Sequence, residues 1–347
     1  GSRVLVTGAG GSIGSELCRQ IASQDPASLI LLGHGENSIH RIYQELIHAF
    51  PHISGRLQCV IASTANEARI DQVFAYHRPQ VVFHTAAHKH VPIMESNEQE
   101  AVTNNVLGTY NVAAAGGEGG VERMVLVSTD KAADPCCVMG ATKWLCEEVF
   151  RAAASFWAGT SYMAVRLGNV LGSRGSVVPM FREQIRRGGP VRVTHPEMTR
   201  YFMTIPEAVR LLLEAGAVGK SGELYLLDMG SPVRILDLAN DMIRLSGLEP
   251  GVDIDIEFTG IRPGDKLHES LTSVSETVEQ TPWAGLSIVH RRQCFSREEL
   301  RDAVDTLRHA SDAGGDADVR NTLVALLPGG LHRAERSRPV TLGPTGR

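Results

Sequence analysis

The chain has 347 residues, 43% of them apolar and 21% charged, which is the balance of a globular protein with one large core or two moderate ones. A formal net charge of −5 argues against a nucleic-acid partner, which would ask for a basic face. There is no apolar run of about 18 residues, so nothing reads as a membrane span. The six cysteines, Cys18, Cys59, Cys136, Cys137, Cys146 and Cys294, form no Cys-x-x-Cys pair. They read as free thiols of a reducing, cytoplasmic compartment. The sequence opens directly on a strand, so a membrane tether in an upstream segment is left open.

Through the first 170 or so residues, short β-branched runs alternate with helical patterns. Strands are predicted at Arg3–Thr7, Leu29–Leu32, Leu57–Ile61, Val81–His84, Arg123–Ser128 and Tyr162–Arg166. They show little polar alternation, as strands covered on both faces should. Helices are predicted at Ile13–Ser23, Glu36–Ala49, Glu67–Tyr76, Glu98–Gly116 and Gly140–Ala154. Such alternation implies right-handed crossovers, so the fold class is α/β, a Rossmann-type doubly wound parallel sheet. After Leu171 the rhythm loosens, and Gly, Pro and Arg gather in Gly172–Tyr201. A strand at Glu223–Leu227 and a helix at Ile235–Ser246 follow. Residues 334–347, rich in Arg, Pro and Gly, are expected to be a disordered tail.

Gly8, Gly11 and Gly14 are spaced G-x-x-G-x-x-G between the first strand and the first helix. A turn of this kind lets a pyrophosphate approach backbone N–H groups at a helix N-terminus, here with Ser12 and Ile13. The expected ligand is a nicotinamide dinucleotide, and the spacing resembles that of extended short-chain dehydrogenase/reductases. The second strand ends on Gly33 where an acid usually binds the adenosine ribose, and Ser63 follows the third. His34 and Glu36 are the remaining candidates on that side. Glu36 serves equally well as a first-turn helix acid. No Arg follows the strand to receive a 2′-phosphate, so NAD is favoured and NADP stays open. Residues 3–170 are then the expected dinucleotide-binding domain, to which later segments return. Residues 171–330 are expected to be mostly a smaller C-terminal substrate-binding domain at the carboxyl ends of the sheet.

Thr129-Asp130-Lys131 leaves the end of the fifth strand, the edge that faces the nicotinamide in this fold. It offers a hydroxyl, a carboxylate and an amine within three residues. Met139-x-x-x-Lys143 follows, and Lys143 is expected to bond the nicotinamide ribose as in Tyr-x-x-x-Lys enzymes. Met139 cannot exchange a proton. The tyrosine's work must move to Asp130, Lys131 or a water.

Here the resemblance becomes specific. Val6–Leu17, Phe83–Glu95, Val127–Lys143, Arg166–Val177 and Arg262–Glu269 resemble segments of the polysaccharide-biosynthesis UDP-N-acetylglucosamine 4,6-dehydratases, in the capsule and flagellin-glycosylation branch with Met in place of Tyr. The resemblance runs from about Val4 to Leu327. It implies oxidation at sugar carbon 4 by bound NAD, loss of water across carbons 5 and 6, and return of the hydride to carbon 6. By the same resemblance, Asp130 and Lys131 share the proton transfers and Thr129 orients the substrate. A nucleotide-diphosphate sugar substrate and a homo-oligomer are expected. An epimerase working through a transient ketone is the alternative enzyme, and a non-catalytic dinucleotide sensor is the alternative from another class.

His84, His88, His90 and Glu95 lack zinc-ligand spacing, so no metal is expected. Their segment reads as a loop over the cofactor, with Ala86 and Ala87 near the pyrophosphate and Lys89 toward the substrate. Asn104 and Asn105 lie on a helix facing the sheet, where either bonding to nearby backbone or helix solvation is open. Arg166, Asn169, Arg174, Arg200 and Arg262 are candidate diphosphate or sugar ligands, because a guanidinium donates paired hydrogen bonds to phosphate. Pro135-Cys136-Cys137 beside the active loop reads as small packing residues.

Overall fold

A computed structural model describes residues 1–292 and 294–331. The expected disordered tail lies outside them. The first half alternates as the pattern predicts: β1 (Arg3–Thr7), α1 (Ser12–Ala22), β2 (Ser28–Gly33), α2 (Glu36–Ala49), β3 (Leu57–Ile61), α3 (Glu67–His77) and β4 (Val81–His84). Two short helices follow, α4 (Val91–Met94) and α5 (Glu98–Ala101), then α6 (Gly108–Glu118), β5 (Arg123–Thr129), α7 (Val138–Phe156) and β6 (Ser161–Leu167). The helix expected over Glu98–Gly116 is not regular. Residues Val102–Leu107 form a π-helical stretch between α5 and α6. Apolar periodicity locates the helix but does not register one widened turn, a feature that often marks functional positions.

The remaining elements are β7 (Asn169–Leu171), α8 (Val177–Arg186), β8 (Val191–Val193), β9 (Thr199–Arg200), β10 (Phe202–Thr204), α9 (Ile205–Val218), β11 (Leu224–Leu227), β12 (Val233–Arg234), α10 (Ile235–Leu245), β13 (Ile256–Phe258), β14 (Thr277–Gln280), β15 (Leu286–His290), α11 (Arg297–Ala313) and α12 (Asp316–Ala325). One sheet runs β3-β2-β1-β4-β5-β6-β11-β15-β14. It is parallel through β11 and antiparallel beyond. This is a Rossmann-type doubly wound sheet.

The β14–β15 hairpin and the small β7–β10, β8–β13 and β9–β12 pairs were not legible in the sequence. They are two to five residues long, too short to show a period, and β14 is exposed throughout. Apolar residues fill both faces of the sheet. Leu5, Ile30, Leu126 and Ala164 point to the side of α3, α6 and α7, and Val6, Leu31, Val125 and Val165 to the side of α1, α2 and α9. A third cluster, built around Phe181, Val193, Met198, Ile235 and Ile254, belongs to the segments beside the carboxyl ends of the strands.

Candidate active site

A cleft of about 630 Å³ opens along the carboxyl ends of β1, β4, β5 and β6, and a second of about 300 Å³ adjoins it. Both share Gly11, Thr85, Ala87, His88 and Arg174. Between them they are lined by the glycine turn, residues 85–92, the end of β5, Met139, Lys143 and the 168–177 segment.

The glycine turn is packed too tightly for side chains. Gly8 has φ +67°, and a Cβ there would stand 2.8 Å from the Ala86 backbone nitrogen. A Cβ on Gly14 would collide with the Gly8 carbonyl, and one on Gly10 with Ser38. The Gly11 N–H donates to Gly8 O at 2.8 Å, closing the turn, and α1 begins without a side-chain cap. Its first N–H groups are therefore available to an anion. These features fit a dinucleotide pyrophosphate over Gly8, Gly11, Ser12, Ile13 and Gly14. His34 lines the second cleft beside Gly33, with Ser38 and Thr64. Glu36 is exposed in the first turn of α2 and lines neither cleft.

The loop after β4 is fixed at both ends. His84 is fully enclosed, bonded to Thr7 Oγ1 at 2.7 Å and Thr109 Oγ1 at 2.9 Å. Burial, helped by the nearby Lys143 charge, pushes its pKa down to about 3, so it is a neutral structural bridge. Asn105, on the π-helical stretch, accepts from His88 N at 2.7 Å and donates to His88 O and to Thr142 Oγ1 at 3.0 Å each. It bonds loop backbone and so ties the loop to α7. His88 pairs with Glu100 at 2.8 Å. Glu95 accepts from Val138 N at the start of α7 and pairs with Arg320 on α12. The loop thereby presents Ala86 and Ala87 to the second cleft and Lys89 to the first. Burial, and then the charge of Arg174, pushes the Lys89 pKa down. Two cations facing one cleft invite an anionic ligand.

The chemical wall is formed by β5 and α7. Met139 and Lys143 lie one helical turn apart and both face the cleft. Lys143 Nζ donates to Val127 O at 2.8 Å, and Thr142 Oγ1 to Met139 O at 2.8 Å. Thr129 and Lys131 line the same wall, whereas Asp130 is fully buried behind them. Asp130 Oδ1 accepts from Thr129 Oγ1 at 2.8 Å and from Lys131 Nζ at 3.0 Å. Burial alone would lower the Lys131 pKa, but the carboxylates of Asp130 and Glu269 more than reverse this and hold it above the ordinary lysine range. Glu269 stands 3.4 Å from Lys131 Nζ. The sequence offered one signal for it, its place at the end of the Arg262–Glu269 segment.

The arginines divide. Arg262 lines the cleft and pairs with Asp265 at 2.8 Å, and Asn169 lines it beside Lys131. Arg174 reaches across the glycine turn to Gly10 O, and its backbone N–H bonds Ser12 Oγ at 3.0 Å, so it stands where the two clefts meet. Arg200 also lines the cleft, but its guanidinium donates to the carbonyls of Thr199, Lys266 and Leu267. Arg166 is not a phosphate ligand. It is 0% exposed, and every N–H of its guanidinium goes to Glu147, Glu276 or Leu271 O. Its place on a buried strand put it in the core, behind the cleft wall.

A model of the family described as polysaccharide biosynthesis protein matches residues 4–291. The chain belongs to that family. It is 57% identical over 275 residues to capsular polysaccharide biosynthesis protein CapD of Staphylococcus aureus, covering 79% of this chain and 45% of that protein. It is 51% identical over 306 residues to probable polysaccharide biosynthesis protein EpsC of Bacillus subtilis, covering 88% of this chain and 48% of that one. The chain thus spans about half the length of these two relatives. A UDP-glucose 4-epimerase of Rickettsia massiliae is 34% identical over 276 residues, 79% of this chain and 78% of that protein. Among solved structures, Pen from Bacillus thuringiensis superposes with a TM-score of 0.75 at 29% identity, over 88% of this chain and 97% of that one. No helix among the described residues is long and apolar enough to cross a membrane.

Proposed function

We propose that this polysaccharide-biosynthesis family member binds a nicotinamide dinucleotide, NAD in preference to NADP, and removes water from a nucleotide-diphosphate sugar to give a 4-keto-6-deoxy product. The supporting observation is that Thr129, Lys131, Met139 and Lys143 share one wall of a cleft whose far end is the glycine turn. The glycine turn, His34, Ala86 and Ala87 would hold the dinucleotide, and Lys143 its nicotinamide ribose. When bound, the dinucleotide supplies reversible hydride exchange with carbons 4 and 6 of the sugar.

The chain's own residues supply the proton transfers. Lys131 faces the substrate and Asp130 stands behind it, joined through one hydrogen bond. Asp130 and Lys131 share removal of the proton from carbon 5, which the carbon-4 ketone has acidified. The pair then gives a proton to the hydroxyl leaving carbon 6, and water departs; the carbon-4 hydroxyl proton leaves to water, and carbon 5 is finally reprotonated from solvent. Thr129 orients the sugar. Lys89, Asn169, Arg174 and Arg262 bind the sugar and its diphosphate, with Arg174 bridging to the cofactor side. Arg200 contributes from behind by holding the Lys266 and Leu267 carbonyls. Within residues 171–330, the segments packed around Phe181, Val193, Met198, Ile235 and Ile254 act as the substrate half.

A second reading, epimerisation, is favoured by the 34% identity to a UDP-glucose 4-epimerase. Mass spectrometry of UDP-N-acetylglucosamine and other nucleotide sugars incubated with protein and NAD decides. The dehydratase gives a product lighter by one water, carries deuterium from carbon 4 to the new methyl group, and takes up one solvent deuterium. A new species of unchanged mass, resolved from the substrate by chromatography, establishes the epimerase, and absence of turnover across the set removes both.

A further inference from the structure

Lys131 carries three N–H donors at the end of a flexible stem. The structure sets two hydrogen-bond acceptors around them, Asp130 Oδ1 at 3.0 Å and Asn169 Oδ1 at 3.4 Å, and an ion-pairing carboxylate oxygen, Glu269 Oε1 at 3.4 Å. These come from three separate segments, the turn after β5, the start of β7 and the chain beyond Lys266. Such a tripod fixes the ammonium in space, which one neighbouring carboxylate could not do.

Glu269 is not itself placed to meet a substrate. Its side chain is 3% exposed and does not line the cleft. It is held from behind. Arg200 bonds the carbonyls of Lys266 and Leu267 and lies 3.7 Å from Glu269 Oε1, and Thr199 Oγ1 bonds His268 Nδ1 at 2.9 Å. Glu269 Oε2 and Asp130 Oδ2 are both buried without a hydrogen-bond partner among the described residues. Two buried carboxylates with half their acceptors unused are tolerated only beside compensating charge, here Lys131 and Arg200.

The geometry points to Glu269 as a positioning residue for the proposed reaction: it fixes Lys131 Nζ at the cleft wall. This rests on Lys131 being the acid–base group of that reading. Among the described residues, the titratable and charged groups facing Lys131 include Asp130, Glu269, Arg200 and Cys137, and those facing Glu269 include Lys131, Arg200 and Cys136. Of the two carboxylates that favour the ammonium, Glu269 is the one that can be neutralised without touching the Thr129-Asp130-Lys131 run. Its loss also leaves Arg200 to repel Lys131.

The test is Glu269→Gln, which keeps size and hydrogen-bonding capacity but removes the charge. Lysine acylation by acetic anhydride in the substrate-free protein is followed by mass spectrometry at about pH 9, with exposed Lys220 as the internal reference. Only the neutral amine reacts, so a fall of one pKa unit raises the relative rate at Lys131 about 10-fold, and at least that rise is expected. An unchanged relative rate in a folded protein overturns the proposal, whatever the substrate proves to be. With an active substrate, kcat is expected to fall at least ~10-fold with KM within about 2-fold, and the Lys131 limb of the pH profile to move to lower pH. A variant that is less stable but keeps the parent pH profile marks Glu269 as merely structural. If the Gln variant does not fold, Glu269→Asp moves the carboxylate one methylene away. Its Lys131 rate is expected to rise above the parent's, and no rise overturns the assignment.

Discussion

Neutralising Glu147 tests the account of the core behind the active site. Glu147 on α7 is 0% exposed and accepts from Arg166 Nη2 at 2.8 Å, Arg291 Nη2 at 2.8 Å and Ser128 Oγ at 2.6 Å. Burial penalises its charge, but Arg166, Arg291 and these hydrogen bonds hold the pKa down at about 2 against an ordinary 4.5. A depression of that size corresponds to about 3 kcal/mol of stability at neutral pH. Breaking a buried ion pair by removing one partner costs ~3–5 kcal/mol, an independent figure of the same size. Because the folded pKa is the lower one, this contribution is complete above the unfolded value of 4.5 and is lost as pH falls toward 2. Glu147→Gln should therefore lose about 3 kcal/mol at pH 7, and the gap from the parent protein should narrow by about 1 kcal/mol at pH 4. Urea unfolding of both proteins across that range measures it. A gap under about 1 kcal/mol at pH 7, or one that does not narrow on acidification, excludes this stabilising role for Glu147.

His84 makes a second acid-sensitive contribution. Its folded pKa of about 3 lies below the ordinary 6.5, so stability falls as pH drops from 6.5 toward 3. His84→Gln should flatten the stability profile between pH 6.5 and 4.5, measured by thermal melts. At the chemical wall, Asp130→Asn and Lys131→Ala should each lower kcat by roughly 10²-fold or more, with folding checked by circular dichroism. Met139→Leu should keep most activity, since near-isosteric apolar swaps usually cost under about 1.5 kcal/mol. Near-parental turnover in both Asp130→Asn and Lys131→Ala would remove the pair from the mechanism. Gly14→Ala places a methyl against the Gly8 carbonyl and should weaken NAD binding by at least ~10-fold in calorimetry, with little change in fold by circular dichroism.

Features that depend on neighbours along the chain were legible from the residues alone. The parallel strands β1, β2, β4, β5 and β6 announce themselves because burial on both faces demands unbroken apolar runs. The glycine turn is legible because few other residues tolerate φ +67° at Gly8 or the close approach at Gly14. Met139 and Lys143 share a face because helical spacing puts them there. Tertiary structure alone decided which distant segments complete the site. Glu269 meets Lys131, Asn105 holds the 88 backbone, and Arg174 crosses the glycine turn only because the sheet brings their segments to one edge. Arg166 looked like the other arginines in sequence, yet β6 turns it inward to Glu147 and Glu276. The β14–β15 hairpin is too short to show a period, and one of its strands is exposed throughout. Local periodicity records which face is buried, whereas the partner of a buried charge is chosen by packing between segments far apart in the chain, and no local pattern encodes that choice.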